Sequence, residues 1–189
     1  MLALLTSALV VALAEFGDKT QLLAILLATR FQRRGPIIAG IFAATIANHF
    51  LASLVGVEAS SILEGAWFRY AVAASFIVMG LWTLVPDKAP EADAAPKRLG
   101  PFFTTLFAFF MVEMGDKTQV ATIALGARFH DVVAVTAGTT LGMMVANVPA
   151  VFLGNALIRR VPLKAIRFVA AALFILIGLW LLLVGAGVY

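Results

Sequence analysis

Glu15-Phe16-Gly17-Asp18-Lys19-Thr20-Gln21 stands inside an apolar run, and 98 positions later Glu113-Met114-Gly115-Asp116-Lys117-Thr118-Gln119 repeats it with six identities in seven. The same offset lays Thr6-Ser7 on Thr104-Thr105 and Arg30-Phe31 on Arg128-Phe129. It also lays Arg69 to Trp82 on Arg167 to Trp180, both ending Gly-Leu-Trp. A one-residue adjustment brings Ala47-Asn48 onto Ala146-Asn147. The chain is therefore an internal duplication, and the repeated motif carries charge into segments that otherwise have almost none.

The background makes those charges costly. Of 189 residues 62% are hydrophobic and 13% charged, and the mean hydropathy is +1.02; soluble domains run at about 45–50% apolar and about 25% charged. So few charged side chains cannot cover a water-facing globule, which excludes a soluble enzyme, a disordered regulator and a disulfide-stapled secreted domain. The absence of cysteine excludes disulfides, thiolate metal sites and a cysteine nucleophile. The formal charge of +4 is assigned to membrane orientation rather than to nucleic acid.

A spanning helix needs roughly 20 mostly apolar residues. Six stretches qualify: Leu2 to Thr29, Pro36 to Val57, Phe68 to Val85, Phe102 to Ala127, Val132 to Ile158 and Leu163 to Val188. The first lacks a basic n-region and is too long for a signal peptide, so it is read as a retained span. Pro86 to Pro101 holds four of the seven prolines and six charges, the composition of a solvated linker. Residues 1–85 form a first three-helix repeat, 86–101 a linker and 102–189 a second repeat. Three crossings per half oblige the second half to enter from the opposite side. The expected fold is an all-α membrane protein with six transmembrane helices as two inverted three-helix repeats, an architecture typical of secondary transporters. Ten loop Lys and Arg residues fall on one side and two on the other, which places the linker in the cytoplasm and both termini outside.

One ionisable residue at a helix centre costs roughly 2.5–3.5 kcal/mol on insertion scales, so Glu15, Asp18, Lys19, Glu113, Asp116 and Lys117 call for a function. Read as continuous helix, each motif puts two carboxylates and an ammonium within about a 100° arc, with Glu and Lys in the favourable i,i+4 order. Ser7 and Gln21 flank Asp18 on this wheel, and Thr105 and Gln119 flank Asp116. Gly17 and Gly115 are read as close-approach positions. By the repeat's symmetry the two acidic faces meet at the bilayer midplane. With every group ionised the pair sums to minus two, which one divalent cation or two protons would neutralise; this is the charge pattern of a cation/proton antiporter. Carboxylate, amide and hydroxyl oxygens suit Mg²⁺, Ca²⁺ and Mn²⁺.

Glu15, Asp18, Glu113 and Asp116 are the expected metal ligands. Gln21, Gln119, Asn48 and Asn147 are candidates that either ligate or bond neighbouring helices, and the same alternatives hold for Thr20 and Thr118. Lys19 and Lys117 have no lone pair and are assigned to tuning or coupling. His49 aligns with Val148 under the adjusted register and is read as packing or a local proton acceptor. Met114 is read as packing, Pro149 as a hinge in the fifth span, Glu58 and Glu64 as a solvated outer loop, and Trp82 and Trp180 as interfacial anchors. The expected partners are the lipid bilayer, divalent cations and protons, with no nucleic acid and no oligomer required; no prosthetic group is expected. A passive divalent-cation channel and an intramembrane carboxylate metalloprotein are the alternatives. A channel would place like-charged rings around an oligomeric pore, and a di-iron bundle would need Glu-x-x-His pairs that neither motif supplies.

The two Glu-x-Gly-Asp-Lys-Thr segments resemble the paired signatures of uncharacterized protein family 0016. That family includes Golgi transmembrane protein 165 type manganese/calcium transporters, chloroplast manganese carriers and bacterial manganese exporters. The resemblance covers essentially the whole chain. It implies that Glu15, Asp18, Glu113 and Asp116 bind transported Mn²⁺ or Ca²⁺, that the ion is exchanged for protons, and that the chain is a non-enzymatic exporter of the bacterial inner membrane.

Overall fold

In the computed structural model, which describes residues 1–62, 66–85, 99–154 and 163–185, the motifs are not helical throughout: each is a break between two helices. α1 (Leu2–Glu15) ends at the first glutamate and α2 (Lys19–Phe31) begins at the first lysine; α5 (Pro101–Glu113) and α6 (Lys117–Phe129) repeat the arrangement. Gly17 and Gly115 turn the chain at φ 79° and 78°, a region costing an L side chain about 1–2 kcal/mol. Asp18 and Asp116 follow in extended conformation at the N-cap positions of α2 and α6. Gly-Asp is thus a helix stop followed by a helix start. The single acidic helix face expected from the wheel is corrected accordingly, as is the close-approach reading of Gly115: nothing lies within 4 Å of a Cβ built there.

The remaining helices are α3 (Arg34–Ile62), α4 (Ala66–Thr83), α7 (Val132–Leu153) and α8 (Leu163–Gly185). Among the described residues there is no strand. Arg34–Ile62, Val132–Leu153 and Lys164–Val184 are long and apolar enough to cross a membrane, and Leu2–Glu15 and Pro101–Glu113 are shorter apolar helices. At 1.5 Å per residue, α1 and α5 rise only about 20 Å, short of a hydrocarbon core of about 30 Å. α3 continues to Ile62, so Glu58 is an exposed helical residue rather than part of a loop. α7 runs through Pro149 to Leu153. Residues 86–98 of the expected linker, Glu64, and the basic pair Arg159 and Arg160 lie outside the described residues.

Large apolar side chains face outward, among them Leu5, Leu9, Phe50, Phe103, Phe107, Leu176 and Trp180, while Ser7, Thr45, Ser53, Thr104, Thr122 and Thr139 are buried. A water-soluble protein does not expose so much contiguous apolar surface; with lipid as solvent the pattern is the expected one, small and polar residues lying between helices.

The halves interleave. α1 and α2 pack on α7, α5 and α6 pack on α3, α3 packs on α7, and α4 packs on α8. Contacts recur with both partners moved by 98 positions. A Cβ on Gly138 would meet the Leu4 carbonyl oxygen at 2.4 Å, and one on Gly40 would meet that of Phe102 at 2.8 Å. At the α4–α8 crossing, Gly80 faces the Ala171 carbonyl and Gly178 that of Ala73. Phe76 packs on its own copy, Phe174, with ring centroids 6.2 Å apart. Each of these contacts has a counterpart in which the two halves exchange roles.

Candidate functional site

Two helix breaks brought together where the halves meet need their backbone groups satisfied, and the motif glutamines do part of this. The Gly17 N–H donates to Gln21 Oε1 at 3.0 Å and the Gly115 N–H to Gln119 Oε1 at 2.6 Å, a reach-back from the first helical turn like that of a capping box. The amide ends cross to the other half: Gln21 Nε2 donates to the Ala146 carbonyl at 3.0 Å, and Gln119 Nε2 to Asn48 Oδ1 at 2.6 Å. Asn48 Nδ2 donates to the Phe110 carbonyl at 3.4 Å. The wheel neighbours fall elsewhere. Thr105 bonds the Pro101 carbonyl one turn back, and Ser7 lies against Gly138.

The lysines also cross. Lys19 Nζ is 2.9 Å from Asp116 Oδ1, and Lys117 Nζ is 2.5 Å from Asp18 Oδ1. Non-helical backbone at Phe16 to Asp18 removes the i,i+4 geometry that would have paired Glu15 with Lys19, so the within-motif ion pair is replaced by two cross-repeat pairs. The second is the drier, with both side chains under 5% exposed against 25% for Lys19.

The glutamates differ. Glu15 accepts from the hydroxyls of Thr20 and Thr118, one at each carboxylate oxygen. Glu113, equally buried at 0% exposure, has no hydrogen-bond partner for either oxygen among the described residues. One carboxylate oxygen from each of Glu15, Glu113 and Asp116 lies within 4.8 Å of the others, all three side chains buried. Asp116 Oδ2 is likewise without a partner there. Three hard oxygens at this separation can share one divalent cation. Asp18, held by Lys117, is not one of the three.

The structure changes the register of α3 against α7. Gln119 reaches Asn48, and its counterpart Gln21 reaches residue 146, which is 98 beyond Asn48. Buried positions agree at the same offset: 44, 45, 48, 49, 52 and 53 match 142, 143, 146, 147, 150 and 151. The one-residue adjustment is therefore corrected, and the counterpart of His49 is Asn147, not Val148. Asn147 Nδ2 donates to the Met143 carbonyl at 3.1 Å, and its Oδ1 has no partner among the described residues.

Two further residues touch the site. His49, fully buried, places Nε2 4.0 Å from Glu113 Oε2. Arg167 Nη2 donates to the Gly17 carbonyl at 3.1 Å, covering an oxygen freed by the first break. Sequence reading counted Arg167 among loop charges, although its duplication as Arg69 was a signal that it belongs to the repeated framework.

Comparison with known proteins agrees with this chemistry. Residues 3–91 and 101–187 each match the family described as divalent cation/proton antiporter GDT1. A Vibrio cholerae protein named "Putative manganese exporter" is 48% identical over 180 residues, covering 95% of this chain and 90% of its own. A GDT1-like protein of Synechocystis is 30% identical, covering 89% and 90%, and GDT1-like protein 5 of Arabidopsis thaliana is 27% identical, covering 90% and 91%. No solved structure matches.

Proposed function

The chain belongs to the GDT1 family of divalent cation/proton antiporters, an integral membrane transporter rather than an enzyme, and from that premise we propose that it exports Mn²⁺ from the cytoplasm in exchange for protons. The carrying observation is the buried trio of carboxylate oxygens from Glu15, Glu113 and Asp116 at the junction of two broken helices. Inverted-repeat transporters build their ion sites from such discontinuous helices. In this reading Asp18 completes the acidic set. The cross-repeat pairs Lys19–Asp116 and Lys117–Asp18 balance the aspartates, so the minus two of the site with every group ionised resides on the glutamates. One divalent ion restores neutrality, and so do two protons. That balance favours a carrier over a channel, because an empty, ionised site in a low dielectric is strongly disfavoured. The V. cholerae relative's name supports Mn²⁺ as the cargo, and Ca²⁺ is the competing cargo that an oxygen site admits.

The architecture that goes with this function has α1–α2 and α5–α6 each crossing the bilayer as one broken span. With α3, α4, α7 and α8 this makes six, in two inverted halves, 1–85 and 102–189, joined by a cytoplasmic linker at 86–101. Both termini then lie outside the bacterial inner membrane.

Reconstituted vesicles with an internal pH reporter test the proposal. Labelled Mn²⁺ should show counterflow, its uptake should move protons the other way, and Glu113→Gln should abolish both while the protein remains inserted and monodisperse. Divalent flux without proton movement, or without counterflow, would overturn it.

A further inference from the structure

The exchange site is not fully symmetric, and the asymmetry has a chemical sense. His49 and Asn147 stand at equivalent places in α3 and α7, each fully buried. Each carries donor atoms that the protein leaves without a hydrogen-bond partner among the described residues: both ring nitrogens of His49, and Oδ1 of Asn147. Burying a polar group unsatisfied costs a few kcal/mol, and His49 stands at the edge of the acidic cluster, 4.0 Å from Glu113. His49 faces Glu113, the glutamate that lacks the threonine hydroxyls given to Glu15.

From this juxtaposition of His49 with Glu113 beside Asp116, we propose that the His49 imidazole is a ligand of the transported ion and biases the site toward Mn²⁺ over Ca²⁺ and Mg²⁺. The inference rests on the exporter reading above and deepens it. Two ligands of one octahedral ion at about 2.1 Å lie about 3 Å apart when adjacent and about 4 Å when opposite, so the 4.0 Å between Nε2 and Oε2 fits a shared ion with little movement. Imidazole suits transition metals, whereas Ca²⁺ and Mg²⁺ take oxygen. An otherwise oxygen-lined site gains selectivity from one nitrogen, and Asn147 offers its amide oxygen in the mirrored position.

The chain has two histidines, His49 and His130, and His130 caps the far end of α6, so isotope labelling can be read cleanly. Full-length protein carrying ¹⁵N-histidine, purified in detergent and loaded with Mn²⁺, should show a histidine nitrogen coupled to the metal in pulsed electron paramagnetic resonance. His49→Asn, which makes the two halves alike, should remove that coupling, as should His49→Gln. In vesicles both variants should lower the Mn²⁺ preference over Ca²⁺ about tenfold or more, the scale on which even outer-shell changes act. Wild-type Mn²⁺ transport with no histidine coupling, or with unchanged selectivity in both variants, would overturn the ligand role and leave the exporter reading standing. Wild-type protein that neither binds nor moves Mn²⁺ would overturn both. Should His49→Asn not fold, His49→Gln and the coupling in wild-type protein still decide.

Discussion

At the residue scale, the informative contrast is between two chemically identical ion pairs. Lys117–Asp18 is almost dry, while Lys19–Asp116 has one partner a quarter exposed. Removing one member of a buried pair strands the other, at about 3–5 kcal/mol. Asp18→Asn, which leaves the almost dry Lys117 without its carboxylate, should therefore lower the thermal stability of the detergent-solubilised protein more than Asp116→Asn, which leaves the part-exposed Lys19, and adding Lys117→Met to Asp18→Asn should restore part of the loss. Equal melting temperatures for the two aspartate variants would contradict the burial argument. The candidate residues were legible from sequence because charge inside an apolar run stands out. Their partners were not, since a helical wheel assigns neighbours only within one continuous helix. The equivalence of His49 with Asn147 was not legible, because the register of α3 against α7 is fixed by packing and by the reach of Gln21, which no pairwise alignment of the halves contains.

At the element scale, the break is a backbone event. Gly115 has a positive φ and open space around its missing Cβ, so Gly115→Ala tests conformation without steric conflict. It should cost about 1–2 kcal/mol, and Gly115→Asn, which tolerates the left-handed region, should cost less. Chemical denaturation of the two variants measures this; a greater loss for Asn than for Ala would show that packing governs the site. Helix content and the duplication were plain in the sequence. The break itself was available as glycine followed by aspartate, the usual end and beginning of helices, but it was hidden by long apolar flanks that satisfy the length criterion for an unbroken span.

At the scale of the whole molecule, duplication did not yield two independent bundles. Because α1 and α2 lie on α7 while α5 and α6 lie on α3, neither half buries its own broken helix. Residues 1–98 and 99–189 produced as two chains should co-purify from membranes and resist protease together, while either alone is degraded; a protease-resistant first half on its own would contradict the interleaving. The repeat was readable from sequence, whereas this exchange of partners was not, because it depends on which faces are small enough to approach closely, as at Gly40 and Gly138.

Both threonine hydroxyls of the motifs rest on Glu15, and none on Glu113. With no hydroxyl to answer it among the described residues, Glu113 is the open hand of the site, and an arriving cation meets there the carboxylate that loses least by turning to it.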